Sequence, residues 1–379
     1  MAQSEAEQDE AHRVQQIADK IAESPSEVGR EEAFELKQIA DELADGPTQY
    51  EIIKTCYGFL STKIVLSAID FDLFTVLAEE PRTREELEEE LGLHPRCSAD
   101  YLDSLVALGY LEREDGVYRN DPLVDKVMDA NKPDHYIGGA LEWANDHQYD
   151  VFGELTETLK TGEPQSGYMD EDEMFDELYE DEDRADSFTS GMAGLTSRVA
   201  EYIAEAFEWD EYESVCDVGS AKGQVPVTVA EENDHLEATA FDLPELEPIS
   251  TEFISKREMD DRVSFHPGDA FEDDLPQHDV FVLGRILHDF GLEKKKELIR
   301  STYEAMPEDG ALLIYGSLID NERRENVVGL MTSLYTMVDS EKGYDYTPNE
   351  CREWLEEVGF SDIEVRDIPG PETMVVAQK

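Results

Sequence analysis

The sequence predicts an α/β protein whose C-terminal half is a doubly wound sheet of about seven strands, preceded by a mainly helical module. Three observations carry this. From Glu213 to the C-terminus, apolar runs short enough for buried strands alternate with longer amphipathic stretches. A glycine turn, Gly219–Gly223, joins the first of these runs to a helix, and the acidic Asp242 ends the second. Upstream, from Tyr50 to Asn120, packed helices are followed by two short β runs around the turn Glu114-Asp115-Gly116.

Composition narrows what such a chain does. With 379 residues there is room for two domains, or for one large domain with an attached module. A hydrophobic fraction of 40% is enough for a real core. The net charge of −61, from 92 acidic and 31 basic residues, repels nucleic acid and anionic membrane surfaces. The acids are spread along the whole chain, as expected of a halophilic protein whose self-repulsion is screened by salt. Cys56, Cys97, Cys216 and Cys351 are scattered without a C-x-x-C pair, which points to reduced thiols and not to a disulfide frame or zinc site. No signal peptide or membrane-length apolar run is visible, so a cytoplasmic location is expected.

In chain order, residues 1–46 read as an acidic, partly disordered extension that ends in a helical pattern. Residues 47–185 form the second region. Ile52–Leu66 and Ile69–Leu77 look like packed helices. Thr83–Leu91, His94–Leu108, Tyr110–Glu112 and Gly116–Arg119 then give helix, helix and a β-wing, a winged-helix unit. DNA binding is weighed against the charges: between Pro81 and Asn120 there are 10 acidic and 5 basic residues, and Cys97–Gly109 holds no Lys or Arg. Dimerisation is the better reading. The acidic run Tyr168–Asp183 reads as a solvated helix or loop, and Phe188–Phe207 as an amphipathic helix leading into residues 186–379, the α/β region. Strands are expected at Val263–His266, Asp279–Leu283, Ala311–Ile319, Ile363–Ile368 and Met374–Gln378, with helices at Lys294–Met306 and Thr347–Val358. Thr347 and Glu350 form a capping box for the last.

The stretch Glu213–Leu243 is a nucleoside-cofactor half-site. Glycines let a ligand approach the backbone, the helix N-terminus favours negative charge, and an acid ending the second strand holds ribose hydroxyls. Gly219 and Gly223 are spaced G-x-x-x-G, neither a dinucleotide fingerprint nor a phosphate loop. Asp217 would repel a pyrophosphate but suits an ammonium, as carried by S-adenosylmethionine (SAM). Asp269, at the third strand end, suits the adenine amino group, against the plain reading of a turn Asp. Arg285 either donates to the cofactor or is a surface arginine. His288 sits at the fourth strand end, where the ligand crevice of such sheets lies, and is the natural general base for a hydroxyl. Trp143, His147, Met331, Leu334, Tyr335 and Met337 are candidate acceptor walls, each weighed against ordinary core at helical spacing. No carboxylate/His set for a metal is visible.

The set DVGSAKG, FDLP, GDAF and ILHDF, with a late D-Y-T before a helix, resembles the SAM-dependent small-molecule O-methyltransferases, the group of plant phenolic and hydroxyindole enzymes and their bacterial relatives. The resemblance runs from about Tyr50 to the C-terminus and includes FTSGM at Phe188–Met192. It implies a Rossmann-like SAM-methyltransferase sheet and a homodimer through the N-terminal domain. It places Gly219, Ser220 and Gly223 at the methionine moiety and Asp242 on the ribose. Leu243, Ala270 and Phe271 would lie around the adenine beside Asp269, Arg285 at the cofactor, Met192 at the acceptor and His288 as the base, with Asp289 next to it. Of the two carboxylates that orient this histidine in the family, one falls at Gly316 here and the other at Asp345. Ser220 and Ala221 replace the central glycines of the turn, and a negative φ at both would leave cofactor binding intact.

The expected reaction is transfer of the SAM methyl to a hydroxyl of a small aromatic or conjugated molecule. Its rivals are a SAM-binding C-methyltransferase or impaired relative, suggested by Gly316, and a winged-helix ligand sensor, opposed by the acidic recognition helix. The charge carries a prediction of its own: thermal unfolding followed by circular dichroism moves to lower temperature between molar KCl and dilute buffer, and an unchanged midpoint removes the halophilic reading.

Overall fold

The computed structural model describes residues 47–132, 135–167, 175, 178–368 and 370–379. The expected N-terminal extension, residues 1–46, and most of the acidic run 168–183 lie outside the described residues. The chain divides into a first unit ending at Val65 and a second running from Leu66 to Lys379. In the first, Thr48 caps the helix Gln49–Cys56 in a capping box with Glu51, and a second helix starts at Gly58.

In the second unit, β1 (Arg82–Thr83), β2 (Leu111–Glu114) and β3 (Val117–Asn120) form a three-stranded sheet in the order β1-β3-β2. The sequence reading gave β2 and β3 but not β1, because two residues carry no period. Asp115 and Gly116 join β2 to β3 at φ +51° and +81°, the pair of left-handed residues a two-residue hairpin needs. The helices Arg84–Leu91 and Ser98–Ala107 pack beside it around Leu87, Leu102 and Leu105, all fully buried.

The large sheet has seven strands: β4 (Ser214–Val218), β5 (Glu237–Asp242), β6 (Val263–Pro267), β7 (Val280–Gly284), β8 (Ala311–Gly316), β9 (Ser361–Asp367) and β10 (Thr373–Gln378). Their order is β6-β5-β4-β7-β8-β10-β9, and only β10 runs antiparallel to its neighbours. The central strands β4, β7 and β8 are buried on both faces, which is why they read as unbroken apolar runs. Val215, Val280, Val282 and Leu313 pack on one face with Ile203 of the helix Glu182–Ala206 and Val225 of Gln224–Glu232. Cys216, Phe281, Leu283 and Leu312 pack on the other with Leu298 of Leu292–Ala305 and Leu355 of Pro348–Val358. Thr347 and Glu350 make the expected capping box.

Three differences from the sequence reading have local causes. The helix expected from Phe188 begins at Glu182, where Asp181 accepts the Arg184 N–H at 3.0 Å; the acidic first turn hides the apolar period. β8 stops at Gly316 and not at Ile319, because the Leu318 N–H turns back onto the Gly316 carbonyl. The helix Val327–Asp339, held only in part by buried residues, was not assigned. Among the described residues no single helix is long and apolar enough to cross a membrane, and no group of three His, Cys, Asp or Glu forms a metal-binding arrangement.

The helix Glu182–Ala206 meets Gly138–Trp143 backbone to backbone. A Cβ on Gly191 would lie 1.9 Å from the Ala140 nitrogen, and one on Gly139 1.9 Å from the Ser187 carbonyl oxygen. Backbone cannot yield as a side chain does. Gly191→Ala therefore destabilises the protein by roughly 1–3 kcal/mol in a denaturant titration; a loss below a few tenths would show that these helices do not touch.

Candidate active site

The strands β4 and β7 are neighbours, and the chain leaves them in opposite directions across the sheet. Such a divergence opens a crevice at the carboxyl ends, where Gly219 follows β4 and His288 follows β7. The turn after β4 is narrow. Gly219 has φ +75°, and a Cβ there would lie 2.4 Å from Ile286 Cδ1. Gly223, at φ +90°, opens the helix Gln224–Glu232.

Between them, Ser220 keeps a negative φ but Ala221 sits at +51°. The condition of a negative φ at both substituted positions is therefore met by Ser220 and not by Ala221. The conformation costs alanine about 1–2 kcal/mol. A compensating bond holds it: the Ala221 N–H donates to Asp242 Oδ2 at 2.6 Å, while the Leu243 N–H donates to Oδ1 at 2.8 Å. Asp242 thus braces the turn from the end of β5. Burial pushes its carboxyl up to about 6, against the pull of these two N–H groups.

Asp217 is buried, at 4% exposure. Burial pushes its carboxyl up to about 7, the Ser220 hydroxyl pulls it down and Asp242 adds to the rise; no cationic side chain faces it among the described residues. A buried carboxylate poised near neutrality fits a ligand cation such as the SAM ammonium. Gln224 donates to Thr228 at 3.0 Å and leaves its own buried Oε1 without a partner, an acceptor open to a ligand donor. These groups fit SAM.

At the end of β6, Gly268 is required by Phe241, whose ring a Cβ would meet at 2.7 Å. Asp269 Oδ1 accepts the Phe271 N–H at 2.8 Å, so this carboxylate shapes its own turn. Leu243, Ala270 and Phe271 are half-buried, and the Phe271 ring meets Phe290 edge-on at 4.7 Å. Arg285 pairs with the Glu372 carboxylate, and its buried Nε is left without a partner. Its φ is +54°, and the preceding Gly284 is forced by the Tyr315 ring, 2.2 Å from a would-be Cβ.

His288 lies in the turn Leu287–Asp289 with a carboxylate at each ring nitrogen. Asp289 Oδ1 is 3.3 Å from Nε2, and Asp345 Oδ1 is 3.6 Å from Nδ1. Burial lowers the imidazole pKa, but Asp289 and Asp345 together outweigh it and raise it to about 9. Asp345, at 3% exposure, is itself fixed: Thr332 donates to its Oδ2 at 2.9 Å, and its N–H donates to Ser333 Oγ at 3.1 Å. Gly316 contributes no carboxylate, and a Cβ there would meet only Leu318 at 3.6 Å.

Of the expected acceptor walls, Trp143, His147 and Tyr335 gather in one place around Asp339. His147 Nε2 lies 2.6 Å from Asp339 Oδ1, Tyr335 donates to Asp339 Oδ2 at 3.0 Å, and the Trp143 ring stacks on His147 at 4.4 Å. His147 stands in a π-helical turn, Ala144–Gln148, a distortion often found at functional sites. Met192 is half-buried, whereas Met331 is 55% exposed and joins none of these contacts. The sequence reading missed Thr332, Asp339, Glu372 and Tyr179. Burial, then Asp242 and Asp289, raises the Tyr179 hydroxyl, which places it near both carboxylates. It shares its acidic run with Tyr168 and Phe175, and its ring lies 5.9 Å from that of Phe175.

Residues 152–361 match the family model of the O-methyltransferase domain, and residues 53–128 that of the O-methyltransferase dimerisation domain. The chain is 39% identical over 330 residues to the tetracenomycin polyketide synthesis 8-O-methyl transferase TcmO of Streptomyces glaucescens, covering 87% of this chain and 96% of that protein. It is 33% identical over 270 residues to the N,N-dimethyltransferase OxyT of Streptomyces rimosus, covering 71% and 78%. The structure of human N-acetylserotonin methyltransferase in complex with SAM superposes with a TM-score of 0.80 at 23% identity, covering 88% of this chain and 99% of that one.

The strained turn makes a stability prediction. Ala221→Gly raises the unfolding free energy by roughly 0.5–1 kcal/mol, the left-handed penalty less the greater freedom of unfolded glycine. A lower denaturation midpoint would mean that the turn is not strained at Ala221.

Proposed function

The chain belongs to the SAM-dependent O-methyltransferase family, and on that premise we propose that His288 is the base that removes the acceptor hydroxyl proton. The observation that carries this is the pair of carboxylates at its two ring nitrogens. Asp345, immobilised by Thr332, holds Nδ1 and fixes the ring orientation. The acceptor hydroxyl displaces Asp289 at Nε2 and passes its proton there as the oxygen takes the methyl group. Asp289 and Asp345 then stabilise the imidazolium that forms. In this reading Asp345 orients the ring without a second carboxylate from position 316, and Asp289 contributes charge beside it.

SAM supplies the methyl group. Asp217 receives its ammonium, the Gly219–Gly223 turn lets its methionine end approach the backbone, and Asp242 accepts from the ribose. Leu243, Asp269, Ala270 and Phe271 surround the adenine. Near-attack alignment of oxygen, methyl and sulfur contributes up to about 7–11 kcal/mol to such a step. The acceptor is a hydroxyl on a small aromatic or polyketide-like molecule, as the name of the 39%-identical relative supports. Trp143, His147, Tyr335 and Met192 line its pocket. The N,N-dimethyltransferase relative makes an amine the second acceptor class to test. Tyr50, Ile52, Tyr57 and Phe59 are all more than half exposed and support a homodimer through the N-terminal domain, in a cytoplasmic, halophilic enzyme without nucleic-acid or membrane partners.

Calorimetric titration with SAM and S-adenosylhomocysteine in molar KCl yields micromolar binding that Asp242→Ala abolishes. Against a panel of phenols and aryl amines, methyl transfer rises with pH up to about 9, because the base must be neutral to accept a proton. His288→Gln lowers kcat by about 100-fold or more with cofactor affinity retained. Full activity in that variant would remove the histidine from the mechanism.

A further inference from the structure

Lys295 is fully buried in the first turn of the helix Leu292–Ala305, which follows the turn that holds His288. A lysine is almost never placed so without a specific task. Its Nζ donates to the Tyr344 carbonyl at 2.6 Å and lies 3.3 Å from the Tyr344 ring centroid. Tyr346 and Trp354 complete an aromatic cage at 5.3 and 5.8 Å. The same Tyr344 is gripped from its other end, since its N–H donates to the His288 carbonyl at 2.8 Å. Asp345, whose carboxylate faces His288 Nδ1, is the next residue.

We propose that Lys295 is a positioning residue for His288: by holding the Tyr344 carbonyl inside the cage, it fixes the peptide that presents Asp345 to the imidazole. The reasoning is geometric. A residue whose N–H is held by the histidine turn and whose carbonyl is held by a caged ammonium has both of its flanking peptides fixed, so the following side chain starts from one place. Thr332 then completes the placement from the helix Val327–Asp339. Charge works in the same direction. Burial pushes the Asp345 carboxyl up, and His288 and Lys295 act against that, while Asp289 reinforces it. Around His288 the charged groups are Asp289, Asp345 and Arg285, and the lysine reaches it through Asp345.

This role rests on His288 being the base, but its test does not need the acceptor. The chain has eight histidines, so the imidazole of His288 can be followed by NMR with labelled histidine and assigned with His288→Gln. In the full-length protein, Lys295→Met lowers the His288 titration midpoint by about half a unit or more, in the same direction as Asp345→Asn. The double variant Lys295→Met/Asp345→Asn shows no shift beyond that of Asp345→Asn alone, because both act through one contact. Affinity for S-adenosylhomocysteine stays within about twofold of wild type. Lys295→Gln keeps a donor for the carbonyl and falls between wild type and Lys295→Met; it carries the test if the methionine variant does not fold. An unmoved His288 midpoint in a folded Lys295 variant, or additive shifts in the double variant, overturns the proposal. Absence of cofactor binding in the wild type would instead defeat the functional reading and leave this titration standing.

Discussion

Everything at the site depends on the pairing of β4 with β7. These strands lie side by side and parallel, through Val215–Asp217 against Val280–Val282, yet their chains depart to opposite edges of the sheet. No connection then crosses the space above their carboxyl ends. The glycine turn and the histidine turn approach each other there, close enough that a Cβ on Gly219 would lie 2.4 Å from Ile286 Cδ1. The glycine turn and the histidine turn are therefore positioned by one backbone constraint.

Acidic groups dominate both the surface and the crevice, but they behave differently. On the surface, the excess of 92 acids over 31 basic residues is a matter of hydration and screening. In the crevice, Asp217, Asp242 and Asp345 are desolvated, and burial raises each carboxyl above its ordinary value. Their neighbours differ: Asp217 faces Ser220 and Asp242, Asp242 accepts two backbone N–H groups, and Asp345 meets Thr332 and His288. The structure thus keeps negative charge where a cationic cofactor and a protonated histidine would stabilise it.

Much of the fold was legible because its cause is local. Seven strands, the hairpin Glu114–Val117 and the capping box at Thr347 each follow from apolar runs, turn residues or a spacing of three. Elements whose apolar signal is diluted were lost or trimmed: β1 is two residues long, and the helix from Glu182 begins in a run of acids. The site was legible as a set of strand ends, not as a set of contacts. Arg285 shows the gap: its position at the end of β7 was readable, but its pairing with Glu372 joins residues 87 apart in sequence.

The sequence by itself determined the α/β alternation, the glycine turn, and the positions of Asp217, Asp242 and His288 in or after their strands, because strand burial and turn geometry are imposed by neighbours a few residues away. Tertiary structure alone decided the φ of Ala221, the two carboxylates that bracket His288, the Asp339 link between His147 and Tyr335, and the caged lysine beneath Asp345. The physical reason is range. A hydrogen bond or an ion pair acts over about 3–4 Å in space, whatever the separation along the chain, and only the packed sheet brings those atoms within that distance.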